Sequence, residues 1–308
     1  MALVFHSPLD DPEPWRRALA SELPDLDVWV WPHVPDPAAI AFALVYRPPP
    51  ALLASLKHVR AVVSLAAGVD HIPFAALPSG VPVCRMVEPG LAAQMADYVL
   101  HAALTAQRGF DHYARCATVG QWDWAPAGAP SAFHVGLLGL GAIGRAVAAR
   151  LAAAGFSISG WSRLGRTIAG VVVEGGADGL DRLLARSDMV VLLLPATAET
   201  AGLVDARFLQ RTKRGAHFVN VGRGEHVVDA DLLRALDDGQ LASATLDVFR
   251  VEPLPADHPF WRHPRVRVTP HVAATPVPET GAVAVRAVVD AVRNGLPLPH
   301  RVDLERGY

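Results

Sequence analysis

A glycine-rich turn between an apolar run and a helical pattern is the feature that most constrains how this chain can fold. Residues 134–144 read HVGLLGLGAIG and place Gly-x-Gly-x-x-Gly at Gly139, Gly141 and Gly144. In such a turn the first glycine lets the chain leave the strand sharply, the second lets a pyrophosphate approach the backbone, and the third lets the helix pack closely on the sheet. The segment therefore predicts a strand–turn–helix unit that binds a dinucleotide.

The start of the predicted helix supplies further contacts to the phosphates. Ala142 and Ile143 follow the turn, where the backbone N–H groups of a helix are unpaired and its dipole is positive. Ile143, Val147 and Leu151 recur on one face, as expected of a helix that covers a sheet. Because the chain contains 25 glycines, the motif alone could mark a structural turn, and its context between strand and helix favours dinucleotide binding.

The end of the next predicted strand indicates which dinucleotide is bound. NAD sites usually carry Asp or Glu there to bind the ribose 2′-hydroxyl. Here the apolar run 156–161 is followed by Ser162 and Arg163, with no carboxylate up to Arg166. Ser162 can donate a hydrogen bond to a 2′-phosphate, and Arg163 can pair with it through two N–H groups. The sequence thus favours NADP(H) over NAD(H); the alternative is that Arg163 and Arg166 are ordinary solvated charges.

Short apolar runs alternate with longer amphipathic segments along the rest of the chain. Strands that alternate with helices predict an α/β fold, in which helices cover both faces of doubly wound, mostly parallel sheets. The runs that predict strands are residues 41–46, 61–65, 134–139, 189–195, 217–221 and 266–269, and the long helical patterns are residues 90–108 and 279–293.

The length of the chain fits two domains rather than one. Its 308 residues exceed one ordinary core, since domains contain roughly 100–200 residues. A Pro- and Gly-rich loop, residues 121–130, lies just before the glycine-rich unit. The prediction is a dinucleotide-binding domain over residues 98–278, inserted into a second domain that residues 1–97 and 279–308 form together.

Charge and cysteine content exclude several classes of protein. A net charge of −2, from 28 basic and 30 acidic side chains, gives no electrostatic footprint for nucleic acid. No run approaches the roughly 18 apolar residues of a membrane span, and the N-terminus lacks a secretory signal pattern. Cys84 and Cys116 form neither a disulfide framework nor a Cys-x-x-Cys motif. We expect a cytoplasmic protein with no metal site and no nucleic-acid or membrane partner.

Three later segments place a polar residue after an apolar run. Arg223 lies between two glycines in VNVGRG, Glu252 follows LDVFRV, and His271 follows VTP. Each residue alone has an ordinary structural explanation. Together they match the reduction of a 2-oxo acid, which needs a cation for the carboxylate, an acid for the developing alkoxide and a group that holds the acid. Arg223, His271 and Glu252 can supply these roles in that order.

The motifs together resemble those of the D-isomer-specific 2-hydroxyacid dehydrogenases, and among them the glyoxylate/hydroxypyruvate reductases. The resemblance covers nearly the whole chain. It rests on the glycine turn and on residues 66–72 (AAGVDHI), 192–200 (LLLPATAET), 220–224, 246–253 and 269–274, with residues 161–163 (WSR) and 306–308 (RGY) typical of the reductases.

The resemblance implies a role for each matching residue. Arg223 would bind the substrate carboxylate and orient the carbonyl. His271 would be the general acid in reduction, paired with Glu252, since a neighbouring carboxylate favours the charged imidazolium. The backbone N–H groups of Ala67 and Gly68 would also hold the substrate carboxylate.

The resemblance further implies a flavodoxin-like substrate domain, an inserted Rossmann domain, and a substrate bound in the cleft between them. Asp247 would contact the nicotinamide carboxamide, and Pro195 would line the cofactor cleft. The family is usually dimeric, which points to a homodimer with residues 122–130 near its interface. Tyr46 stands where the reductases often carry tryptophan, and it is either a wall of the substrate pocket or a core residue.

The predicted function is NAD(P)H-dependent reduction of glyoxylate or hydroxypyruvate to the 2-hydroxy acid by hydride transfer. One alternative is a relative that acts on another acid, such as D-lactate, phosphoglycerate or formate. Another is a non-catalytic, nucleotide-sensing corepressor, because the same fold serves both functions and such proteins can keep the Arg, Glu and His residues. A third is a module that binds the cofactor without chemistry.

Overall fold

The structure is a computed structural model that describes residues 1–163, 165, 168 and 170–303. Arg166 and residues 306–308, on which two of the expectations rest, lie outside the described residues. The chain forms two compact units, one from Met1–Leu91 with the chain from Thr275 onwards, and one from Ala92–Ala274. The sequence predicted the two boundaries after residues 97 and 278, whereas the structure places them after residues 91 and 274.

The first unit is built on a five-stranded sheet. Its strands are β1 (Ala2–His6), β2 (Asp27–Val30), β3 (Ile40–Val45), β4 (Ala61–Ser64) and β5 (Val83–Cys84), and its helices include α1 (Pro12–Glu22), α2 (Pro50–Ser55) and α9 (Pro278–Arg293). The strand order is β2-β1-β3-β4-β5, and every neighbouring pair is parallel. This is the order of flavodoxin-like sheets.

The packing of α1 on α9 follows from the local sequence. Asp11 caps α1 by accepting a hydrogen bond from the N–H of Glu13, and a proline occupies the first turn. Trp15 and Leu19, four residues apart, are both buried on one face of α1. A Cβ on Gly281 of α9 would lie 2.5 Å from the Trp15 ring, so the glycine makes room for the indole. The two helices thereby close the core of the first unit.

The second unit is built on a seven-stranded sheet. Its strands are β6 (His134–Leu138), β7 (Ser157–Trp161), β8 (Val172–Glu174), β9 (Met189–Leu192), β10 (Ala216–Asn220), β11 (Leu241–Leu246) and β12 (Val266–Val268). The remaining labelled helices are α3 (Pro89–Arg108), α4 (Phe110–Thr118), α5 (Ala142–Ala153), α6 (Gly176–Arg186), α7 (Ala206–Gln210) and α8 (Asp229–Asp237).

The strand order of the second sheet fixes where a ligand binds. The order is β12-β11-β10-β9-β6-β7-β8, and every neighbouring pair is parallel. Beyond β6 the chain builds first to one side and then to the other, as in Rossmann domains. In such sheets ligands bind at the carboxyl ends of the strands where the order reverses. The glycine turn lies at this place, directly after β6.

The predicted fold class is confirmed, because both sheets are parallel and helices connect their strands. The predicted strands appear as β3, β4, β6, β9, β10 and β12, and the two long helical patterns appear as α3 and α9. None of the helices within the described residues is both long and apolar enough to cross a membrane.

Candidate active site

The turn between β6 and α5 holds free space beside a helix N-terminus. Gly139 has a φ of 109°, in the region that favours glycine. A Cβ on Gly144 would lie 2.1 Å from the carbonyl oxygen of Gly139, so packing requires a glycine there. A Cβ on Gly141 would meet no heavy atom of the described residues within 4 Å. Gly141 therefore leaves room for a ligand where unpaired N–H groups favour a phosphate.

This contrast predicts different effects for the same added methyl group. In Gly141→Ala we expect the free energy of unfolding to change by less than about 0.5 kcal/mol, while affinity for the dinucleotide falls because the methyl group fills the phosphate space. In Gly144→Ala we expect a loss of roughly 1–3 kcal/mol of stability, because the methyl group is forced against the backbone. Urea denaturation and titration with the reduced dinucleotide measure the two effects. Equal losses of stability would contradict the assignment.

Ser162 and Arg163 follow β7, the neighbour of β6 in the sheet. The Arg163 guanidinium is ion-paired with the carboxylate of Glu199, and the two side chains are 54% and 70% exposed. Exposed ion pairs contribute only about 0–1 kcal/mol. A doubly charged phosphate can therefore displace Glu199 from Arg163 at little cost. The sequence predicted no role for Glu199, because its partner Arg163 lies in a separate loop, 36 positions away.

The residues with predicted chemical roles follow three adjacent strands. β10, β11 and β12 end in register, with Asn220 beside Leu246 and Leu246 beside Val268. The chain continues from β10 to Arg223 and from β12 to His271. Both residues thus follow the carboxyl ends of the strands, at the same edge of the sheet as the glycine turn.

His271 and Glu252 form a direct hydrogen-bonded pair. The His271 Nδ1 atom lies 2.9 Å from Glu252 Oε2. Because a carboxylate only accepts hydrogen bonds, Nδ1 carries the proton and Nε2 is left to exchange a proton with another molecule. The other carboxylate oxygen, Oε1, accepts the backbone N–H of Phe249 at 3.0 Å. Glu252 is therefore oriented by the backbone and in turn orients the imidazole.

Asp247 holds the backbone around His271. His271 has a φ of 57°, a left-handed conformation that costs free energy in a non-glycine residue. The Asp247 side chain, in a residue only 1% exposed, accepts hydrogen bonds from Thr269 Oγ1 at 2.6 Å and from the N–H groups of Val272 and Ala273 at 2.9 Å each. Its own carbonyl oxygen accepts the N–H of His271 at 2.8 Å. These four bonds fix the turn that presents the imidazole.

The network continues to Tyr98 in α3. Its hydroxyl lies 2.6 Å from Thr269 Oγ1, and burial is the main cause that raises the pKa of Tyr98. Since Thr269 donates to Asp247, the tyrosine donates to Thr269. Both carboxylate oxygens of Asp247 are engaged by protein donors, and its contact with a nicotinamide carboxamide stays a prediction.

The loop that carries Arg223 lies directly against the loop that carries Glu252. A Cβ on Gly224 would lie 1.9 Å from the carbonyl carbon of Phe249, so the two backbones are in contact. Asn220, fully buried, donates to the carbonyl oxygen of Arg223 at 2.9 Å and accepts from the N–H of Gly222 at 3.1 Å. The fold thus brings Arg223, Glu252 and His271 into neighbouring loops of one sheet edge.

In the first unit, the loop after β4 exposes two backbone N–H groups. Ser64, fully buried, anchors this loop by hydrogen bonds to the carbonyl oxygens of Ala66 at 3.0 Å and Gly68 at 2.7 Å. Within the described part of the chain, the N–H groups of Ala67 and Gly68 donate no hydrogen bond. Both residues are partly exposed, so the two donors are available to an anion.

The structure is compatible with both interpretations of Tyr46, a wall of the substrate pocket and a core residue. Its ring centroid lies 4.6 Å from that of His71, and the side chain packs against the core of the first unit. The ring is only partly buried, which leaves a surface that another molecule can contact.

Comparison with known proteins agrees with this geometry. The family model "D-isomer specific 2-hydroxyacid dehydrogenase, NAD binding domain" matches residues 100–273, which contain the glycine turn and the three residues with predicted chemical roles. The chain belongs to this family. The resemblance inferred from the sequence is confirmed.

Relatives in the family match along their whole length. Glyoxylate/hydroxypyruvate reductase A of Serratia proteamaculans is 39% identical, with 100% of both chains covered. A dehydrogenase of the family from Xanthobacter autotrophicus, solved in complex with NADPH and MES, is 39% identical and superposes with a TM-score of 0.96 over 100% of this chain and 99% of that one. The NADPH-dependent glyoxylate/hydroxypyruvate reductase of Sinorhizobium meliloti, solved with NADP and sulfate, has 36% identity, a TM-score of 0.93 and the same coverage.

His226 is a residue of this candidate site that sequence reasoning missed. Its Nδ1 atom accepts the N–H of Arg223 at 3.2 Å, and Nε2 lies 3.1 Å from the carbonyl oxygen of Pro195. Since Nδ1 accepts, Nε2 carries the proton and donates to Pro195. The imidazole is fully buried and links the Arg223 loop to the loop after β9. The signal was a histidine followed by two valines, three positions after Arg223, but only the fold reveals its partners.

The buried state of His226 predicts a loss of stability in acid. Burial is the main cause that lowers the pKa of His226 below its ordinary value of 6.5, so the folded protein favours the neutral ring. Above pH 6.5 the His226 ring is neutral in both the folded and the unfolded protein, so the free energy of unfolding is at its full value. It decreases as the pH falls from 6.5 through the lowered pKa of the folded protein, because the unfolded protein binds the proton first. We expect His226→Asn to reduce the loss of unfolding free energy seen between about pH 7.5 and pH 5.5.

Urea denaturation at the two pH values measures this difference. Burial also lowers the pKa of His6, His134 and His217, and these histidines act in the same direction. The comparison of wild type with His226→Asn isolates the contribution of His226. An identical pH dependence in both proteins would contradict the prediction.

Proposed function

We propose that this protein is an NADPH-dependent reductase of small 2-oxo acids, with glyoxylate and hydroxypyruvate as its substrates. The observation that carries the proposal is the pair of His271 and Glu252, 2.9 Å apart, at the sheet edge that also presents Arg223. This arrangement combines a proton donor with a cation for a carboxylate, as reduction of a 2-oxo acid requires. Relatives 36–39% identical over the full chain are glyoxylate/hydroxypyruvate reductases.

The residues present fit NADPH. The space at Gly141 and the unpaired N–H groups of Ala142 and Ile143 suit the pyrophosphate. Ser162 and Arg163 provide a donor and a cation for the 2′-phosphate. Pro195 is exposed, and its carbonyl is held by His226 and Thr200. When bound, the cofactor supplies the hydride that reaches the carbonyl carbon.

The side chains of the second unit bind, orient and protonate the substrate. Arg223 pairs with the carboxylate and directs the carbonyl oxygen towards His271. The protonated imidazole donates its Nε2 proton to that oxygen as negative charge develops there. Glu252 keeps the Nδ1–H in place and balances the positive charge of the ring. The 2-oxo acid thereby gains a hydride at carbon and a proton at oxygen.

The first unit contributes backbone groups to substrate binding. The N–H groups of Ala67 and Gly68 are assigned to the substrate carboxylate, because a loop with two available donors suits an anion. Tyr46 is assigned a contact with the substrate side chain. A Tyr46→Phe variant tests the second assignment by the ratio of kcat/KM for hydroxypyruvate to that for glyoxylate.

The first experiment is the steady-state oxidation of NADPH, with NADH in parallel, against glyoxylate, hydroxypyruvate and pyruvate. Faster turnover with NADPH and with the first two acids supports the proposal. Turnover with NADH alone would remove the assignment of Arg163. Turnover with pyruvate alone would favour another D-2-hydroxy acid, and no turnover with any acid would favour the nucleotide-sensing alternative.

Replacement of Arg163 by alanine tests the cofactor assignment directly. Hydrogen bonds to charged groups contribute about 1.5–3 kcal/mol, so we expect KM for NADPH to rise by roughly 10- to 100-fold, with KM for NADH nearly unchanged. Arg182→Ala is the matched control, since Arg182 is an exposed arginine of the same unit, paired with Glu174. Equal changes for the two cofactors would contradict the role of Arg163.

We also propose that the enzyme is a homodimer that works in the cytoplasm. Trp122 and Trp124, in the loop after α4, are 93% and 75% exposed, and large exposed aromatic side chains are typical of interfaces. Both cysteines are free, which suits a reducing compartment. Sedimentation velocity tests the dimer: Trp122→Ser/Trp124→Ser should dissociate it, and Trp261→Ser should not. A monomeric wild type would overturn the proposal.

A further inference from the structure

Three donor groups of different chemistry converge at α4 and the loop that follows it. His112 and Cys116, four residues apart on α4, lie on one face of the helix. His112 Nε2 lies 2.7 Å from Asp123 Oδ2 and 3.5 Å from Cys116 Sγ. The three donor atoms all lie within 4.8 Å of one another. We propose that His112, Cys116 and Asp123 bind a divalent cation of the zinc type.

The spacing of the donors fits a tetrahedral zinc ion. Zinc binds thiolate sulfur at about 2.3 Å and imidazole nitrogen at about 2.0 Å, which separates the two donors by about 3.5 Å at a tetrahedral angle. The measured separation of Sγ and Nε2 is 3.5 Å. Nitrogen and carboxylate oxygen would stand about 3.4 Å apart around the ion, so the Asp123 oxygen has to move out from its hydrogen bond. Asp123 lies in a loop, and its side chain is 43% exposed, which permits this movement.

The same geometry excludes a catalytic triad in which His112 activates Cys116 as a nucleophile and Asp123 orients the histidine. In a relay the base contacts the nucleophile through one ring nitrogen and the orienting carboxylate through the other. Here the thiol of Cys116 and the carboxylate of Asp123 both approach Nε2 of His112. If Nε2 donates its proton to Asp123, it offers no acceptor to the thiol. A cation satisfies all three donors at once, because each then directs a lone pair at the same point.

The ligand set determines which cation is favoured. One sulfur, one imidazole nitrogen and one carboxylate oxygen form a mixed set that suits zinc, whereas magnesium and calcium prefer oxygen ligands. Three protein ligands leave the fourth position to water. The His112 side chain is 48% exposed, while Cys116 is buried, so the ion is reached from the His112 side. A bound ion ties the start of loop 121–130 to α4.

This proposal departs from the sequence-based expectation of no metal site. That expectation rested on cysteine spacing, which cannot detect a site with a single cysteine. The relevant signal is His-x-x-x-Cys on one helix with an aspartate seven residues later. Such a pattern is common by chance, and only the fold places the aspartate opposite the helix.

Titration of the protein with Co²⁺ tests the proposal. A cobalt–thiolate bond gives a near-ultraviolet absorption band. We expect one Co²⁺ per chain and displacement of the band by Zn²⁺. Cys116→Ser should abolish the band, and His112→Asn should lower Co²⁺ affinity by more than about 100-fold, since even changes beside the ligands cost 10- to 100-fold.

Cys84→Ser is the matched control. Cys84 is the other free cysteine, and burial is the main cause that raises its pKa to about 11. This variant should bind Co²⁺ like wild type, and so should His271→Asn, which separates the result from the proposed reductase activity. A band that survives Cys116→Ser, or no band in the wild type, would overturn the metal site. NADPH oxidation by Cys116→Ser should match wild type, because Cys116 belongs to neither the cofactor nor the substrate site.

Discussion

Replacing His271 by asparagine is expected to lower kcat for glyoxylate reduction by roughly 10²–10⁴-fold, the usual contribution of a positioned acid. Asparagine keeps a polar group near Glu252 but cannot deliver a proton at neutral pH. The dissociation constant for NADPH should stay close to the wild-type value, because His271 lies outside the glycine turn and the Arg163 site. Stopped-flow reduction of glyoxylate and fluorescence titration with NADPH measure the two quantities.

Two further variants make this prediction specific. Glu252→Gln keeps an oxygen that accepts the Nδ1 proton but removes the charge that balances the imidazolium, so kcat should fall by less than in His271→Asn. His263→Asn breaks another pair of histidine and carboxylate, with Asp237 at 3.3 Å, at the opposite end of β12. It should leave kcat unchanged. Wild-type turnover in His271→Asn would remove the residue from the mechanism.

Replacing Asp247 by alanine is expected to damage both stability and turnover. The change removes the acceptor of the Thr269 hydroxyl and of the N–H groups of Val272 and Ala273. Ala273 is buried and Thr269 is partly buried, whereas Val272 is exposed and its N–H group can turn to water. An orphaned buried donor costs about 1–3 kcal/mol, so we expect a loss on the order of 2–4 kcal/mol of unfolding free energy. The left-handed turn at His271 also loses its support, and kcat should fall even at temperatures where the variant is folded.

Urea denaturation and steady-state kinetics test this expectation together. Asp247→Asn keeps one carbonyl oxygen, and its loss of stability should be smaller. Asp237→Ala is the matched control, since the Asp237 side chain is 75% exposed and its removal should change stability by less than about 0.5 kcal/mol. If Asp247→Ala behaved like Asp237→Ala, the network around Asp247 would have no role in holding His271.

The sequence predicts most of the strands that are covered on both faces, although it missed the interior strands β1 and β11. β3 is a continuous apolar run, and β6 and β10 are mostly apolar, because helices pack on both sides of a central parallel strand. The edge strands β2 and β8 were not predicted, and most of their residues are only partly buried. An edge strand needs no continuous apolar run, so its sequence carries less signal, although the run at residues 266–269 did predict the edge strand β12.

In the candidate site, residues with local tasks could be predicted from the sequence, and residues with distant partners could not. Gly139, Gly141 and Gly144 could be predicted because their spacing is local and each glycine has a local task. The functions of His226 and Asp247 in fixing loops could not, because their partners belong to other strands and loops. The same holds for the approach of Glu199 to Arg163, which joins residues that the sequence separates by 36 positions.

The contact of Trp15 with Gly281 has a consequence for how the protein is made. The ribosome releases α1 early, but the helix that covers Trp15 emerges only after the whole second unit. Until then the nascent chain carries an open apolar surface that includes Trp15 and Leu19, while the second unit can already fold. Exposed surface of this kind is prone to aggregation and is bound by chaperones. Premature termination before α9 should therefore yield a chain with one folded unit and one that chaperones retain.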